Sequence, residues 1–63
     1  MPEPLMDWYI ATVWVTDADV VTTRYVIRLL AEDVEDYQTR VRKQFPAKHL
    51  VSFGPIARSK RQR

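Results

Sequence analysis

Four acids and one histidine are the first candidates for catalytic or metal-binding side chains in this sequence. Glu32, Asp33, Glu35 and Asp36 lie close enough in the chain to be considered as a metal-binding cluster. Acids in the first turn of a helix are stabilised by the helix dipole, so this cluster indicates a helix start rather than a metal site. His49 has no neighbouring Cys, His or acid that would make it a metal ligand or a general base.

The lack of cysteine and the scarcity of glycine remove further kinds of site. Without cysteine the chain has no disulfide, no thiolate nucleophile and no cysteine-based zinc site. The one glycine, Gly54, cannot form a glycine-rich phosphate loop. We therefore expect a protein that is not an enzyme, with no catalytic residue, no metal and no cofactor.

Two tryptophans and two arginines are better suited to binding than to catalysis. Trp and Arg are strongly enriched at the energetic centres of protein interfaces. Aromatic and basic side chains on an open sheet also stack and hold single-stranded nucleic acid. The four residues are Trp8, Trp14, Arg24 and Arg28. Acids near them would repel a nucleic-acid backbone, which favours a protein partner; these acids are Asp7, Asp17 and Asp19.

Length and charge indicate one small domain whose charges are separated along the chain. The 63 residues, 46% of them hydrophobic, suffice for one domain of marginal stability. The net charge is only +2, yet residues 1–36 contain all eight acids, and residues 37–63 contain eight of the ten Lys and Arg residues. We divide the chain into an N-terminal extension (1–7), a domain (8–58) and a basic tail (59–63). The tail is predicted to attract an anionic partner through Lys60, Arg61 and Arg63.

Two strands joined by a turn are predicted in the first half of the chain. Residues 8–16 are rich in aromatic and β-branched types, which favours a strand. Residues 20–30 show the two-residue alternation of a strand with one buried face. Asp17 and Asp19 favour a short turn, so the two strands are expected to form an antiparallel hairpin.

A helix is predicted over residues 34–45, followed by a third strand. The apolar side chains of the helix share one stripe: they are Val34, Tyr37, Val41 and Phe45. Asp33 is the expected N-cap, Asp36 and Arg40 are spaced for an ion pair, and Pro46 ends the helix. Residues 49–53 form the third strand, and residues 56–57 continue it beyond a bulge at positions 54–55.

These elements predict an α+β fold in the order β-β-α-β, with one helix on one face of a three-stranded antiparallel sheet. The face under the helix is expected to carry Tyr9, Ala11, Val13, Val21, Tyr25, Ile27 and Leu29. The uncovered face is expected to carry Trp8, Ile10, Trp14, Arg24, Val26 and Arg28. The two faces of the first strand are almost equally apolar, so an inverted strand with buried tryptophans is the alternative.

The sequence gives no indication of a membrane or a secreted protein. Its longest uncharged runs fall far short of the ~20 apolar residues that span a bilayer. The N-terminal residues lack the basic stretch of a secretory signal. We therefore expect a protein of the cytoplasm with no membrane partner.

Four segments resemble the small host RNA polymerase inhibitors of podoviruses. They are the run Trp8-Tyr9-Ile10-Ala11-Thr12-Val13, the pair Ala31-Glu32, the helix 34–45 and the last strand leading to Arg58. The resemblance covers residues 8–58 and implies a three-stranded sheet with one helix. It also implies binding to the jaw of the polymerase β′ subunit, which blocks open-complex formation. The family has arginines on its last strand, whereas here the basic residues follow that strand, so only Arg58 is carried over as a contact.

We expect a small phage-type protein that binds and inhibits a machine of the bacterial host, with RNA polymerase as the first candidate. The expected partner-binding residues are Trp8, Ile10, Trp14, Arg24, Val26, Arg28 and Arg58. Three alternatives stay open. They are a nucleic-acid-binding module or small transcriptional regulator, an inhibitor of another host system such as a defence nuclease or a topoisomerase, and a homodimer joined through its open sheet faces.

Overall fold

Strand β1 (Asp7–Thr16) is the centre of an open antiparallel sheet in the computed structural model, which describes residues 5–59. Strand β2 (Thr22–Ala31) pairs with one side of β1 along its whole length. The other side of β1 pairs with β3 (Leu50–Phe53) and with the short β4 (Ala57–Arg58). One helix, α1 (Val34–Arg42), connects β2 to β3. The fold is therefore α+β with an open antiparallel sheet and one helix, as the sequence predicts.

The helix packs against the face of β1 that was expected to be buried. Tyr9, Ala11, Val13 and Val15 are buried, and they form the core with Ala31, Tyr37 and Val41. The predicted inner face of the first strand is thus confirmed, and the inverted alternative is wrong. Ile27 and Leu29 pack against this core as expected. Tyr25 is 41% exposed and contacts Phe45, with ring centroids 5.4 Å apart.

The hairpin turn is longer than the aspartate pattern predicts. Asp17 Oδ1 accepts hydrogen bonds from the backbone N–H groups of Asp19 (2.9 Å) and Val21 (3.0 Å). The turn therefore extends through residue 21, and strand β2 begins at Thr22 rather than at position 20. The prediction that Val21 lies on the inner face is wrong, because this residue belongs to the turn and is largely exposed.

Val20 has a backbone conformation that is unfavourable for valine. Its φ angle is 63°, in the left-handed region that β-branched residues disfavour, and its side chain is 81% exposed. Asparagine tolerates this region, so Val20→Asn should stabilise the fold by about 1 kcal/mol. A gain of that size raises the melting temperature of a domain this small by about 4–8 °C. Thermal melting checks this, with the adjacent Val21→Asn as the control; an unchanged or lower melting temperature for Val20→Asn would contradict it.

The side chains of two aspartates accept hydrogen bonds from backbone N–H groups at the N-terminus of the helix. Asp33 Oδ1 accepts the N–H of Asp36 at 2.8 Å, which confirms Asp33 as the N-cap. Asp36 Oδ2 in turn accepts the N–H of Glu32 at 2.9 Å and the Nε–H of Arg40 at 2.7 Å. The Glu32 N–H and the Arg40 guanidinium hold the pKa of Asp36 below its ordinary value. The predicted ion pair of Asp36 and Arg40 is therefore present.

The helix ends at Arg42, earlier than the predicted position 45. Gln44 and Phe45 donate to the carbonyls of Val41 and Arg42, so the chain leaves the helix in tight turns. Pro46 explains this early end, because a proline disfavours helical dihedrals in the residue before it. Phe45 still packs on the core, but Val34 is exposed, so the predicted apolar stripe is shorter by one residue.

The last strand is broken by a bulge and forms two strands instead of one. Val13 pairs with Phe53 and Ile10 pairs with Ala57, so residues 54–56 lie opposite residues 11–12. Gly54 N–H donates to Thr12 O at 2.8 Å within this bulge. A strand does follow positions 54–55, but it comprises Ala57–Arg58 rather than the predicted residues 56–57, and it is a fourth short strand that the predicted order omits.

Tyr37 joins the helix to the sheet. It also makes the stability of the fold vary with pH in the alkaline range. Its side chain is fully buried and its hydroxyl donates to Ile27 O at 2.7 Å. Burial raises the pKa of Tyr37 above its ordinary value, because the phenolate would lose its hydration. The favourable contribution of the neutral phenol is complete below pH ~10, where tyrosine ionises in the unfolded chain.

Stability should consequently fall above that pH, by up to about 1.4 kcal/mol per pH unit, until Tyr37 ionises in the folded protein as well. Chemical denaturation over an alkaline pH series measures this slope. Tyr37→Phe is the matched control, because it retains the ring and removes the titrating group. An equally steep slope in Tyr37→Phe would show that another group is responsible.

Candidate binding surface

The sheet face opposite the helix, called the outer face below, collects the predicted binding residues. Residues paired across antiparallel strands project to the same face, so the even-numbered residues of β1 and β2 share this one. Six predicted residues therefore lie together: Trp8, Ile10, Trp14, Arg24, Val26 and Arg28. The register adds residues not predicted for this face: Thr12, Leu30, Leu50, Ser52 and Ala57.

Trp8 and Arg28 form one end of the outer face. Arg28 lies diagonally across the strand pair from Trp8, and its guanidinium carbon is 4.8 Å from the centroid of the indole ring. Such a cation–π contact contributes ~0.5–1 kcal/mol at an exposed site. Its larger effect here is to hold two long side chains in one arrangement before a partner arrives, which lowers the entropy lost on binding.

Trp14 forms the other end and depends on the glycine of the bulge. A Cβ atom at Gly54 would lie 3.3 Å from Cζ3 of Trp14, so the indole ring extends from β1 over the backbone of Gly54. Any larger residue at position 54 would press against this ring. Trp14 nevertheless remains 38% exposed, which leaves part of the ring free for a partner.

Aliphatic side chains make the rest of the outer face apolar. Val26 is 68% exposed and Leu50 is 70% exposed, and Leu30 is also open to solvent. Leu30 follows the same alternation as Arg28, so the sequence pattern was sufficient to find it. Leu50 could not be found in this way, because its place beside Thr16 depends on the pairing of β1 with β3.

The outer face carries positive charge only, within the residues that the structure describes. Arg24 and Arg28 are its charged members. Asp7 pairs with the buried Ala31, which places its carboxylate on the helix side. There its Oδ2 accepts a 2.7 Å hydrogen bond from Nη2 of Arg58, which makes an ion pair. The expectation that Asp7 borders the binding residues is wrong for this reason. Arg58 also lies on the helix side, opposite Tyr9, and is separated from the six residues of the outer face.

A groove lies on the helix side of the molecule. Its volume is about 430 Å³, and its lining includes Arg42, Lys43, Phe45, His49 and Val51. The described residues that line this groove include no acid that could serve His49 as a partner. Among residues 5–59 no group of three or more His, Cys, Asp or Glu side chains is placed to hold a metal.

Comparison of the chain with protein-family models, curated proteins and solved structures found no match. In the part of the chain that the structure describes, no helix has the length and apolar character needed to cross a membrane. The tail residues Lys60, Arg61 and Arg63, and positions 1–4 of the N-terminal extension, lie outside the described residues. The predicted role of the tail therefore stays a prediction.

Proposed function

We propose that this chain is a non-catalytic protein that binds a machine of a bacterial host through its outer face and inhibits it by occlusion. The observation that carries the proposal is a sheet face, uncovered by any element within residues 5–59, on which both tryptophans lie with two arginines and several open aliphatic side chains. Several exposed apolar side chains gathered on one sheet face are typical of a binding surface.

The composition of the outer face supports a protein as the partner. Trp and Arg dominate the energetic centres of protein interfaces, and surrounding aliphatic side chains exclude water from them. Val26 and Leu50 offer apolar area that another protein can cover and a nucleic-acid backbone cannot. Arg28 already covers one face of Trp8, which reduces the area available for stacking a base.

RNA polymerase of the bacterial host is the specific target that we propose. The resemblance of residues 8–58 to podovirus polymerase inhibitors supports this choice, and the central β1 hairpin with one covering helix is compatible with it. A protein of this size would act by occupying a surface that the polymerase needs for DNA. Arg24 and Arg28, the charged members of the outer face among the described residues, suit an anionic partner surface.

Purified bacterial RNA polymerase provides the direct test. We expect the chain to co-sediment with the polymerase and to reduce the formation of open promoter complexes when it is added before DNA. A chain that binds without reducing open complexes would contradict occlusion. A chain that does not bind would exclude this target, and affinity capture of host proteins would then identify another one.

Single-stranded nucleic acid is a second candidate, because the described part of the outer face has two arginines and no acid. If it were the partner, the affinity for an oligonucleotide would fall with salt at a logarithmic slope of about −0.7 for each phosphate contacted. Under our proposal, oligonucleotide binding stays weak at moderate salt. Sedimentation of the free protein separates both possibilities from a homodimer joined through two outer faces.

A further inference from the structure

Within residues 5–59, strand β2 lies at an edge of the sheet, where the charges of Arg24 and Arg28 provide part of the usual protection and other devices are missing. It is ten residues long and lies at the outside of the sheet, since the strand order is β2-β1-β3 and β4 also pairs with β1. Residues Thr22–Ala31 contain no proline and no lysine, and their pairing with β1 has no bulge. Proline, lysine and bulges are among the devices that prevent another strand from pairing with an edge strand. The opposite edge is interrupted by a bulge that contains Pro55.

The hydrogen bonds of β1 show which backbone groups of β2 are free. The carbonyl oxygens of Trp8 and Thr12 accept from Ser59 and Gly54, on the side of β3 and β4. Backbone groups alternate in direction along an antiparallel strand, so odd-numbered residues of β1 bond to β2. The register then leaves the even-numbered residues of β2 with N–H and C=O groups directed away from the sheet: Thr22, Arg24, Val26, Arg28 and Leu30.

The side chains of these same residues form a row on the outer face of β2. In the free protein the Arg28 guanidinium lies over Trp8 of β1, so it must turn from that ring toward an added strand to meet a carboxylate there. Val26 lies between Arg24 and Arg28, whose Cα atoms are about 13 Å apart at the usual rise of a strand. An added antiparallel strand would place every second side chain directly opposite this row. One short segment could therefore engage the free backbone groups and the two arginines at the same time.

We infer that β2 binds an extended, acidic segment of a partner protein as an additional antiparallel strand. The segment has carboxylates opposite Arg24 and Arg28 and an apolar side chain opposite Val26. Main-chain hydrogen bonds supply affinity in this mode, and the opposing charges supply selectivity. This inference rests on the proposed function, because it specifies how the partner of the outer face is held.

The same arginines disfavour a second copy of this chain at the edge. Self-pairing centred on Val26 would place Arg24 directly opposite Arg28 of the other copy. Like charges in directly opposed positions destabilise a strand pair. An acidic strand reverses this effect at both positions, so charge complementarity separates the inferred partner from self-association.

Substitution of Val26 tests the inference on the protein side. The N–H of Val26 is directed away from β1, so Val26→Pro removes a docking donor and no bond to β1. Val26→Thr keeps that N–H and is the matched control. Thermal melting and slow amide exchange at Tyr25 and Ile27 establish that each variant retains its sheet.

A synthetic peptide tests the inference on the partner side. The probe is a capped strand, Glu-Thr-Val-Thr-Glu, extended by threonines. In one version the backbone nitrogens of the two glutamates and the valine are methylated. In the docked peptide these nitrogens would face β2. In the control version the nitrogens of the intervening threonines are methylated, and these would face away. Amide NMR follows exchange at Arg24, Val26 and Arg28.

We expect the unmodified and control peptides to bind the wild type and Val26→Thr and to slow exchange at those three amides. Methylation of the facing nitrogens, or Val26→Pro, should each weaken binding at least tenfold. Arg24→Glu combined with Arg28→Glu should transfer binding to a peptide with lysines in place of the glutamates. Equal binding of the two methylated peptides, or no protection at millimolar peptide, would overturn the inference.

Two further results separate this inference from the proposed function. If polymerase binding is lost in Trp14→Ala but retained in Val26→Pro, the outer face is the binding surface and the edge inference is wrong. If a single-stranded oligonucleotide protects the three edge amides and the acidic peptide does not, nucleic acid is the partner and both proposals are wrong.

Discussion

Val41→Asp should unfold this protein. Val41 is fully buried on the inner side of α1, in the core formed by Tyr37 and strand β1. A carboxylate there would have no hydrogen-bond donor and would lose its hydration, which costs several kcal/mol or forces protonation. A domain of this size has only about 3–9 kcal/mol of stability, so one such substitution can exceed it. Circular dichroism at neutral pH should show the loss of the helix and of the cooperative melting transition.

Val34→Asp is the matched control in the same helix. Val34 is exposed in the first turn, where a negative charge is favourable to the helix dipole. The same substitution should therefore be tolerated at position 34. A folded Val41→Asp protein with an unchanged melting temperature would mean that α1 presents a different face to the sheet.

The sequence predicted those features that depend on local patterns. Strand β1 alternates along its length, so its residues divide into two faces, although the pattern alone left open which of the two is buried. The N-cap at Asp33 and the ion pair of Asp36 with Arg40 lie within a single turn of helix. Such features involve residues close in the chain, which is why residue types and spacing are sufficient to find them.

Features that depend on distant parts of the chain were not predicted. The ion pair of Asp7 with Arg58 joins residues 51 positions apart, and the strand register places both on the helix side. The contact of Trp14 with Gly54 likewise exists only after β3 has paired with β1. No pattern within one segment contains the information for these two contacts. The left-handed conformation of Val20 was missed for a local reason, because the hydrogen bonds to Asp17 determine the turn and override the propensity of valine.

Arg28→Ala and Trp14→Ala should each weaken partner binding by about 2 kcal/mol, roughly thirtyfold in affinity. Arg28 contributes a charge and holds Trp8 in place, and Trp14 contributes ring area at the other end of the outer face. Arg28 is exposed, so its removal should change the free energy of unfolding by less than about 1 kcal/mol. Titration of each variant against purified RNA polymerase, with thermal melting in parallel, measures both effects.

Arg58→Ala is the charge-matched control for Arg28→Ala. Both substitutions remove one arginine from the same sheet, but Arg58 lies on the helix side and pairs with Asp7. If the outer face is the binding surface, Arg58→Ala should bind almost as tightly as the wild type while Arg28→Ala does not. Equal losses in the two variants would mean that net charge rather than the outer face governs binding. A loss confined to Arg58→Ala would move the contact to the last strand, where the resemblance to the polymerase inhibitors places it.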